Sequence, residues 1–286
     1  MIFGWLGALS LADKINHSSA QADAPLVIVR YDGAVAILTL NQPRAINALS
    51  QDMLEALQTH LDEIAENKAV GAVILRSSSK HFCAGHNLKE MTARRDDADG
   101  GKSYFIELFA ICSKLMQRLV TLPQPVIAEV RGIATAAGCQ LVAACDLAVA
   151  SQTARFATSG VNIGLFCSTP MVALSRNLSR KQSMEMLLLG EFIGAARVHE
   201  MGLVNQVVED GALEAHSLDM ARRIAAKSPS AVKIGKEAFY KQLEMPLHDA
   251  YAFAGEVMAT NMMFKDAEAG IGAFIDKKEM PDWTGE

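Results

Sequence analysis

The sequence predicts an α/β fold with a mainly parallel sheet, followed by a helical C-terminal region. Three observations carry this reading. Apolar, β-branched runs alternate with helix-period or small-residue segments from about residue 26 to 151, turn formers separate them, and beyond Pro170 the pattern becomes almost entirely helical. The 286 residues, half of them apolar and 21% charged, are enough for a substantial core and exclude a disordered or collagen-like chain. At roughly 150 residues per domain the length fits one or two domains.

Residues 1–25 read as an N-terminal arm. The apolar run Met1 to Ala12 has no Lys or Arg before it, as a signal segment would, and is too short to span a bilayer. Leu26 to Val29 and Ala34 to Leu40 form a hairpin about Asp32-Gly33, which Asn41-Gln42-Pro43 ends. Ser50 caps a helix on which Met53, Leu54, Leu57, Leu61 and Ile64 recur every three or four residues. Val70 to Arg76 follows as a buried strand. The order repeats with a helix near Tyr104 to Val120, a strand Pro125 to Val130, a small-residue helix near Ala136 to Ala144 and a strand Asp146 to Ser151. The charge-free stretch Phe156 to Ser175 holds Asn162, Pro170 and two Gly, and reads as a buried, loop-containing segment rather than a membrane helix.

Beyond Pro170, where a helix begins, Val204 to Val208 is the only strand candidate, and Met184, Met186 and Leu187 to Leu189 look like core on a helix face. Residues 26–210 therefore form the α/β core, and 211–286 a helical region that packs on it or on a neighbouring subunit.

Charge and cysteine usage narrow the function classes. With 27 Lys and Arg against 32 Asp and Glu, net −5, and aromatics not interleaved with cations, nucleic acid is excluded as a ligand. The five Cys are odd in number and never fall at C-x-x-C spacing, which reads as reduced thiols in a cytoplasmic compartment, or the mitochondrial matrix in a eukaryote. The seven His show no paired-ligand motif, so no metal is expected.

Two segments combine small residues, turn formers and a following helix: Phe82 to Lys89 and Gly132 to Gln140. Each follows a strand, so each would aim N–H groups from a helix N-terminus into a crevice at the strand's carboxyl end. Close helix packing explains such small-residue turns equally well.

The motifs N-x-P-x-x-x-N-A-L at Asn41 to Leu49, F-C-A-G-x-x-L-K-E at Phe82 to Glu90, the run Gly132 to Asp146 ending in C-D, and E-x-G-x-x-A-F around Glu268 to Pro281 resemble the enoyl-CoA hydratase/isomerase, or crotonase, superfamily over about residues 26 to 283. The resemblance implies a spiral of ββα units with a helical trimerisation region, assembled as a trimer or a dimer of trimers. It also implies an acyl-CoA thioester substrate, with coenzyme A belonging to that substrate and no separate cofactor. The implied oxyanion-hole donors are the backbone N–H groups of His86 and Ala137. Arg44, Ile46, Ala84, Asn87, Leu88 and Lys89 fall where the family lines its CoA channel, with Arg44 and Lys89 toward the nucleotide phosphates. Lys277 and Lys278 are candidates for phosphate contacts, including to a neighbour's ligand.

The sequence departs from the family at two positions. The glutamates that handle water and the proton should stand where this chain has Gln140 and Gly160. An amide does not titrate near neutral pH and glycine has no side chain, so neither is a general acid or base. The pairing of A-A-G-C-Q at Ala136 to Gln140 with G-L-F-C-S-T-P at Gly164 to Pro170 resembles the enoyl-CoA hydratase domain-containing subgroup. Three readings follow: an acyl-CoA enzyme with weak or absent hydratase activity, a non-catalytic acyl-CoA-binding or regulatory oligomer, and a thioester hydrolase or other crotonase-type enzyme using His86, Cys167 or Ser168. Against the last, the His86 ring can point away while only its backbone works, and Cys167 and Ser168 can simply cap the next helix.

Overall fold

The structure, a computed structural model, describes residues 24–286. The expected N-terminal arm therefore lies outside the described residues, except for residues 24 and 25.

Strands β1 (Val27–Asp32) and β2 (Val35–Leu40) pair antiparallel, with Asp32 opposite Val35. The two-residue loop is Gly33-Ala34, one position later than the sequence reading places it, and Gly33 takes the positive φ of 56° that so short a reversal requires. Beyond the hairpin the sheet is parallel: β3 (Ala72–Ser77), β4 (Val126–Val130), β6 (Leu147–Ser151) and β9 (Gln206–Val208) complete the order β1-β2-β3-β4-β6-β9. Three short strands, β5 (Ile133–Thr135), β7 (Arg155–Ala157) and β8 (Ile193–Gly194), make a second sheet in the order β5-β7-β8. Val204 to Val208 is thus not the only strand beyond Pro170, since β8 is another. With two or three residues each, β5, β7 and β8 are too short to display an alternating pattern.

The main sheet is buried on both faces, as the period of two in its strands dictates. Ala36, Leu38 and Leu40 of β2, with Val73 and Leu75 of β3, face one core together with helices α1 (Gln51–Glu66) and α3 (Lys102–Thr121). Val35, Ile37, Ala72 and Ile74 face a second core under α8 (Leu213–Ala225). The Ser50 hydroxyl accepts the Met53 N–H as the α1 cap, and the five periodic apolar residues of α1 are all buried. Between α2 (Leu88–Ala93) and the C-terminal region lie α4 (Ala137–Ala144), α5 (Ser168–Asn177), α6 (Arg180–Leu189) and α7 (Ala195–Met201). Every residue of α4 is buried, which explains its small side chains.

The helix at Pro170 starts two residues earlier, at Ser168. In the charge-free stretch, Asn162 to Phe166 are exposed rather than buried. On α6 only Met186 and Leu187 are core, while Met184, Leu188 and Leu189 face outward. An apolar run on a helix does not reveal how much of the circumference its neighbours cover.

The C-terminal helices α9 (Pro229–Gln242), α10 (Leu247–Met262) and α11 (Lys265–Ile275) leave Leu247, Tyr251, Met258, Met263, Phe274 and Ile275 exposed. A buried charge cluster anchors this region. Lys236 Nζ on α9 donates to Asp146 Oδ2 at 2.6 Å and to the carbonyls of Leu119 and Gln124, which uses all three of its protons. Asp146 also accepts the Val126 N–H and the Tyr240 hydroxyl. At the chain's end, buried Asp266 accepts from Ser228, Thr284 and Gly285. Burial alone would raise its pKa, but these hydrogen bonds outweigh burial and hold it at about 2.

Two outcomes follow. Lys236→Met leaves Asp146 buried without its cation and should cost about 3–5 kcal/mol, read from denaturant unfolding. Because the folded pKa of Asp266 lies below its ordinary 3.8, its contribution is complete above pH 4 and is lost as pH falls toward 2. Wild type should therefore lose stability across that window more steeply than Asp266→Asn, as acid-unfolding curves would measure.

Candidate active site

Three segments interlace beyond the carboxyl ends of β2, β3 and β4. Phe82 and Cys83 donate their N–H groups to Ile133 O at 3.0 and 3.1 Å, and Thr135 N–H returns to Cys83 O at 3.0 Å. Ala84 N–H donates to Ile46 O, Leu49 N–H to Gly85 O, and Asn87 N–H to Leu49 O. The strands thus deliver residues 46–49, 82–87 and 133–138 as one hydrogen-bonded unit.

Two glycines let the second and third segments touch. A β-carbon on Gly85 would lie 2.9 Å from Ala136 Cβ and 3.1 Å from Thr135 O, and Gly85 has a φ of +89°. A β-carbon on Gly138 would lie 2.4 Å from Cys83 O. The structure therefore brings His86 and Ala137, the two expected donors, onto directly packed backbone.

Their N–H groups are available. The parallel bridge between Leu49 and His86 uses Gly85 O and Asn87 N–H, so the His86 N–H faces away from Leu49. Ala137 is the first residue of α4, where an N–H has no partner within its own helix. Neither N–H donates to any group of the described residues. Only Ala137 belongs to a helix N-terminus, because α2 begins at Leu88 with Asn87 as its cap. Ala136 sits at φ 50°, ψ −120°, a conformation an L-residue rarely adopts, and this angle directs the Ala137 N–H. Its own N–H is tied to Ala157 O.

The His86 ring turns toward Leu49 and α3. Nδ1 lies 3.3 Å from Leu49 O, which assigns the proton to Nδ1, and the ring meets Phe109 edge-on at 5.4 Å. Nε2 is buried without a partner among the described residues. Burial lowers the ring's pKa against the opposing pull of Leu49 O and Glu90, so the ring is neutral at pH 7.

Gln140 and Gly160, where the family resemblance implies glutamates, are both buried. Gln140 is 4% exposed and its Oε1 has no partner among the described residues. A β-carbon on Gly160 would lie 2.3 Å from Leu165 O and 2.9 Å from Cys167 Sγ. Its φ is not positive, so lack of space, not backbone conformation, reserves this position for glycine. Burial pushes the Cys167 thiol up, with the Gly160 backbone hydrogen bond opposing. Cys167 is the N-cap of α5 but makes no side-chain cap bond, and the exposed Ser168 Oγ is 3.5 Å from Phe166 O. Neither side chain is the helix cap that the sequence allows.

Of the other expected residues, Ile46 borders the unit through its carbonyl, with a left-handed φ of 53°. Ala84 is half-buried within it. Asn87 caps α2 by accepting from the Lys89 and Glu90 N–H groups, and Leu88, Lys89 and Arg44 are exposed nearby in sequence. Lys278 lies apart from the unit in its bonding, paired with Asp276 at 2.7 Å.

Two residues matter more than their sequence context shows. Buried Asn47 accepts the Gln42 N–H and donates to Ser77 Oγ at 2.7 Å and Phe82 O at 2.9 Å, while its own carbonyl accepts the Cys83 thiol. Glu90 accepts the Tyr104 hydroxyl at 2.7 Å and the Gln51 N–H, joining α2 to α1 and α3. Only the motif spacing pointed to either one. Among the described residues no group of three His, Cys, Asp or Glu could hold a metal, and no helix is long and apolar enough to cross a membrane.

The enoyl-CoA hydratase/isomerase family model matches residues 30–286. The chain belongs to this family. It is 45% identical over 270 residues to the Xenopus laevis protein named enoyl-CoA hydratase domain-containing protein 3, mitochondrial, covering 94% of this chain and 90% of that one. Among solved structures it resembles an enoyl-CoA hydratase of Mycobacterium smegmatis at 50% identity and TM-score 0.87, covering 91% of this chain and 99% of that one. Human enoyl-CoA hydratase domain-containing protein 3 gives 41% identity and TM-score 0.86, covering 90% and 100%. The fold is the crotonase-type α/β spiral with helices at its C-terminal end, and the subgroup expected from the motifs is the one these relatives occupy.

Gly85→Ala forces backbone apart in a left-handed conformation and should destabilise the protein by about 2 kcal/mol or more, read from unfolding. Ala136→Gly releases the strained φ and should raise stability by up to about 1 kcal/mol in the same measurement.

Proposed function

We propose that this family member binds an acyl-CoA thioester with its carbonyl oxygen between the His86 and Ala137 N–H groups. Polarising that carbonyl is then the site's main chemical act. The observation that carries this reading is the pair of unengaged N–H groups on two glycine-packed segments. Each such donor is typically worth ~2.7–4 kcal/mol as negative charge develops on the oxygen, and more rigid placement costs less reorganisation. Arg44, Ile46, Ala84, Asn87, Leu88 and Lys89 serve the CoA moiety, with Arg44 and Lys89 meeting phosphates. Lys278 reaches a neighbouring subunit's ligand in a trimer or dimer of trimers, whose contacts the exposed apolar residues of α10 and α11 supply. Coenzyme A enters with the substrate, and no further cofactor is required. The compartment is a reducing one, the cytoplasm or, in a eukaryote, the mitochondrial matrix.

Water addition to an enoyl thioester also needs a base to activate water and an acid for the α-carbon. General acid–base catalysis typically contributes ~10²–10⁴ in rate, and Gln140 and Gly160 supply none of it. Cys167 is a poor substitute, since burial keeps its thiol protonated. His86 is poorly placed as well, with Nδ1 at Leu49 O and the ring against Phe109. These features favour strong thioester polarisation with little or no hydration.

A spectrophotometric assay with crotonyl-CoA, with products identified by mass, tests this. The expected result is saturable binding with hydration absent or at least ~10²-fold below that of a hydratase assayed alongside. Hydration matching that control overturns the reading, as does failure to bind crotonyl-CoA. His86→Ala should change crotonyl-CoA affinity by less than about threefold, because the residue acts through its backbone.

A further inference from the structure

Four parallel strands end around a second cleft of about 400 Å³. Lys80 lies beyond β3, Arg131 beyond β4, Thr153 beyond β6 and Asp210 beyond β9, with His81 and Arg155 completing the lining. Carboxyl ends of adjacent parallel strands are where open α/β sheets receive ligands. The cleft includes none of His86, Ala137, Gln140 or Gly160.

Its donors are arranged and largely unengaged. Arg131 gives Nη2 to Glu129 Oε1 at 3.2 Å, yet its Nε is buried with no partner among the described residues. The Arg155 guanidinium lies 5.3 Å over the Phe192 ring, which holds it without neutralising it. Among the described residues neither Lys80 nor Arg155 has a carboxylate within ion-pair distance. His81 Nδ1 accepts the Ile133 N–H at 3.2 Å, which leaves the ring proton on Nε2 as a further donor. Burial, then Lys80 and Arg155, lower the His81 pKa, a sign of positive potential in the cleft. Gly132 packs the two loops tightly, since a β-carbon there would lie 2.1 Å from Lys80 O and 2.5 Å from His81 Nδ1. Glu129 pairs with Arg131 from outside the lining, and the acid that lines the cleft itself is Asp210, held by the Thr153 hydroxyl at 2.6 Å.

We propose that this cleft is a separate binding site for a small phosphorylated polyol, a sugar phosphate in size, with its phosphate on Lys80, Arg131 and Arg155 and a hydroxyl on Asp210. Cations alone would accept any anion, whereas a single fixed carboxylate beside them selects a ligand that also brings a hydrogen-bond donor. The volume lies at the small end of ligand cavities.

Isothermal titration of the full chain with ribose 5-phosphate tests the proposal, with inorganic phosphate and crotonyl-CoA as companion ligands. Ribose 5-phosphate should bind with a Kd below about 1 mM, and Lys80→Ala with Arg155→Ala should weaken it about tenfold or more. Asp210→Asn should weaken ribose 5-phosphate more than inorganic phosphate, and the Lys80/Arg155 variant should bind crotonyl-CoA as wild type does. No saturation by about 10 mM, or equal affinity in the variant, overturns the proposal. So does a parallel loss of crotonyl-CoA affinity, which would make the cleft part of the thioester site. The ribose 5-phosphate isotherm reads independently of whether crotonyl-CoA binds at all.

Discussion

The constraint that shapes the site is the close contact of its exit segments, at Gly85 against Thr135 and Ala136 and at Gly138 against Cys83, where neither glycine has room for a β-carbon. The rest of the site depends on it. The strands must stop at the right heights for their exit segments to meet, and α4 must be built of small residues because it enters this contact at its first turn. The segment 46–49 then closes the unit from the third side through Ala84, Gly85 and Asn87. A single added methyl group at either glycine has nowhere to go, so core packing and site geometry are the same property here.

The unit also stores strain. Ile46, Asn47 and Ala136 all hold positive φ, and such conformations cost of order 1–3 kcal/mol each for residues other than glycine. Asn47 shows how the cost is offset. Its side chain spans the loop at Gln42, the strand end at Ser77 and the segment at Phe82, so relaxing its backbone would strand several buried groups at once. Because an unmet buried hydrogen bond costs about 1–3 kcal/mol, the network over-determines the strained angles.

Legibility in the sequence followed the length and period of each signal. Helix α1 was readable because five apolar residues keep helical spacing behind a serine cap, and the parallel strands because their apolar runs are as long as a strand needs to be. The strands β5, β7 and β8 were not, since a pair or triplet of residues has no period. Leu188 and Leu189 misled because hydrophobicity reports what a side chain would gain from burial, not whether a neighbour provides it. Within the site, small residues and motif order pointed to the segments around His86 and Ala137. What they could not show was that both N–H groups stay unengaged, the direction of the His86 ring, or the bracing by Asn47, which rest mainly on contacts between segments distant in sequence. The Arg131 and Lys80 cleft was equally hidden, because its residues are gathered from beyond four different strands and form no local motif.

The position of Gly160 carries a chemical consequence. It is not an empty slot from which an acid has been removed, since Leu165 O and Cys167 Sγ already fill the space a side chain would need. The Cys167 thiol beside it is pushed up by burial, Gln140 is a buried amide, and burial lowers the pKa of the His86 imidazole. Charge developing on a bound thioester in such surroundings would be met by oriented backbone dipoles alone, which cannot accept or give a proton. On the proposed reading carbonyl polarisation would therefore stand without a carboxylate at either position, and a side chain introduced at Gly160 would first have to displace the Leu165 backbone.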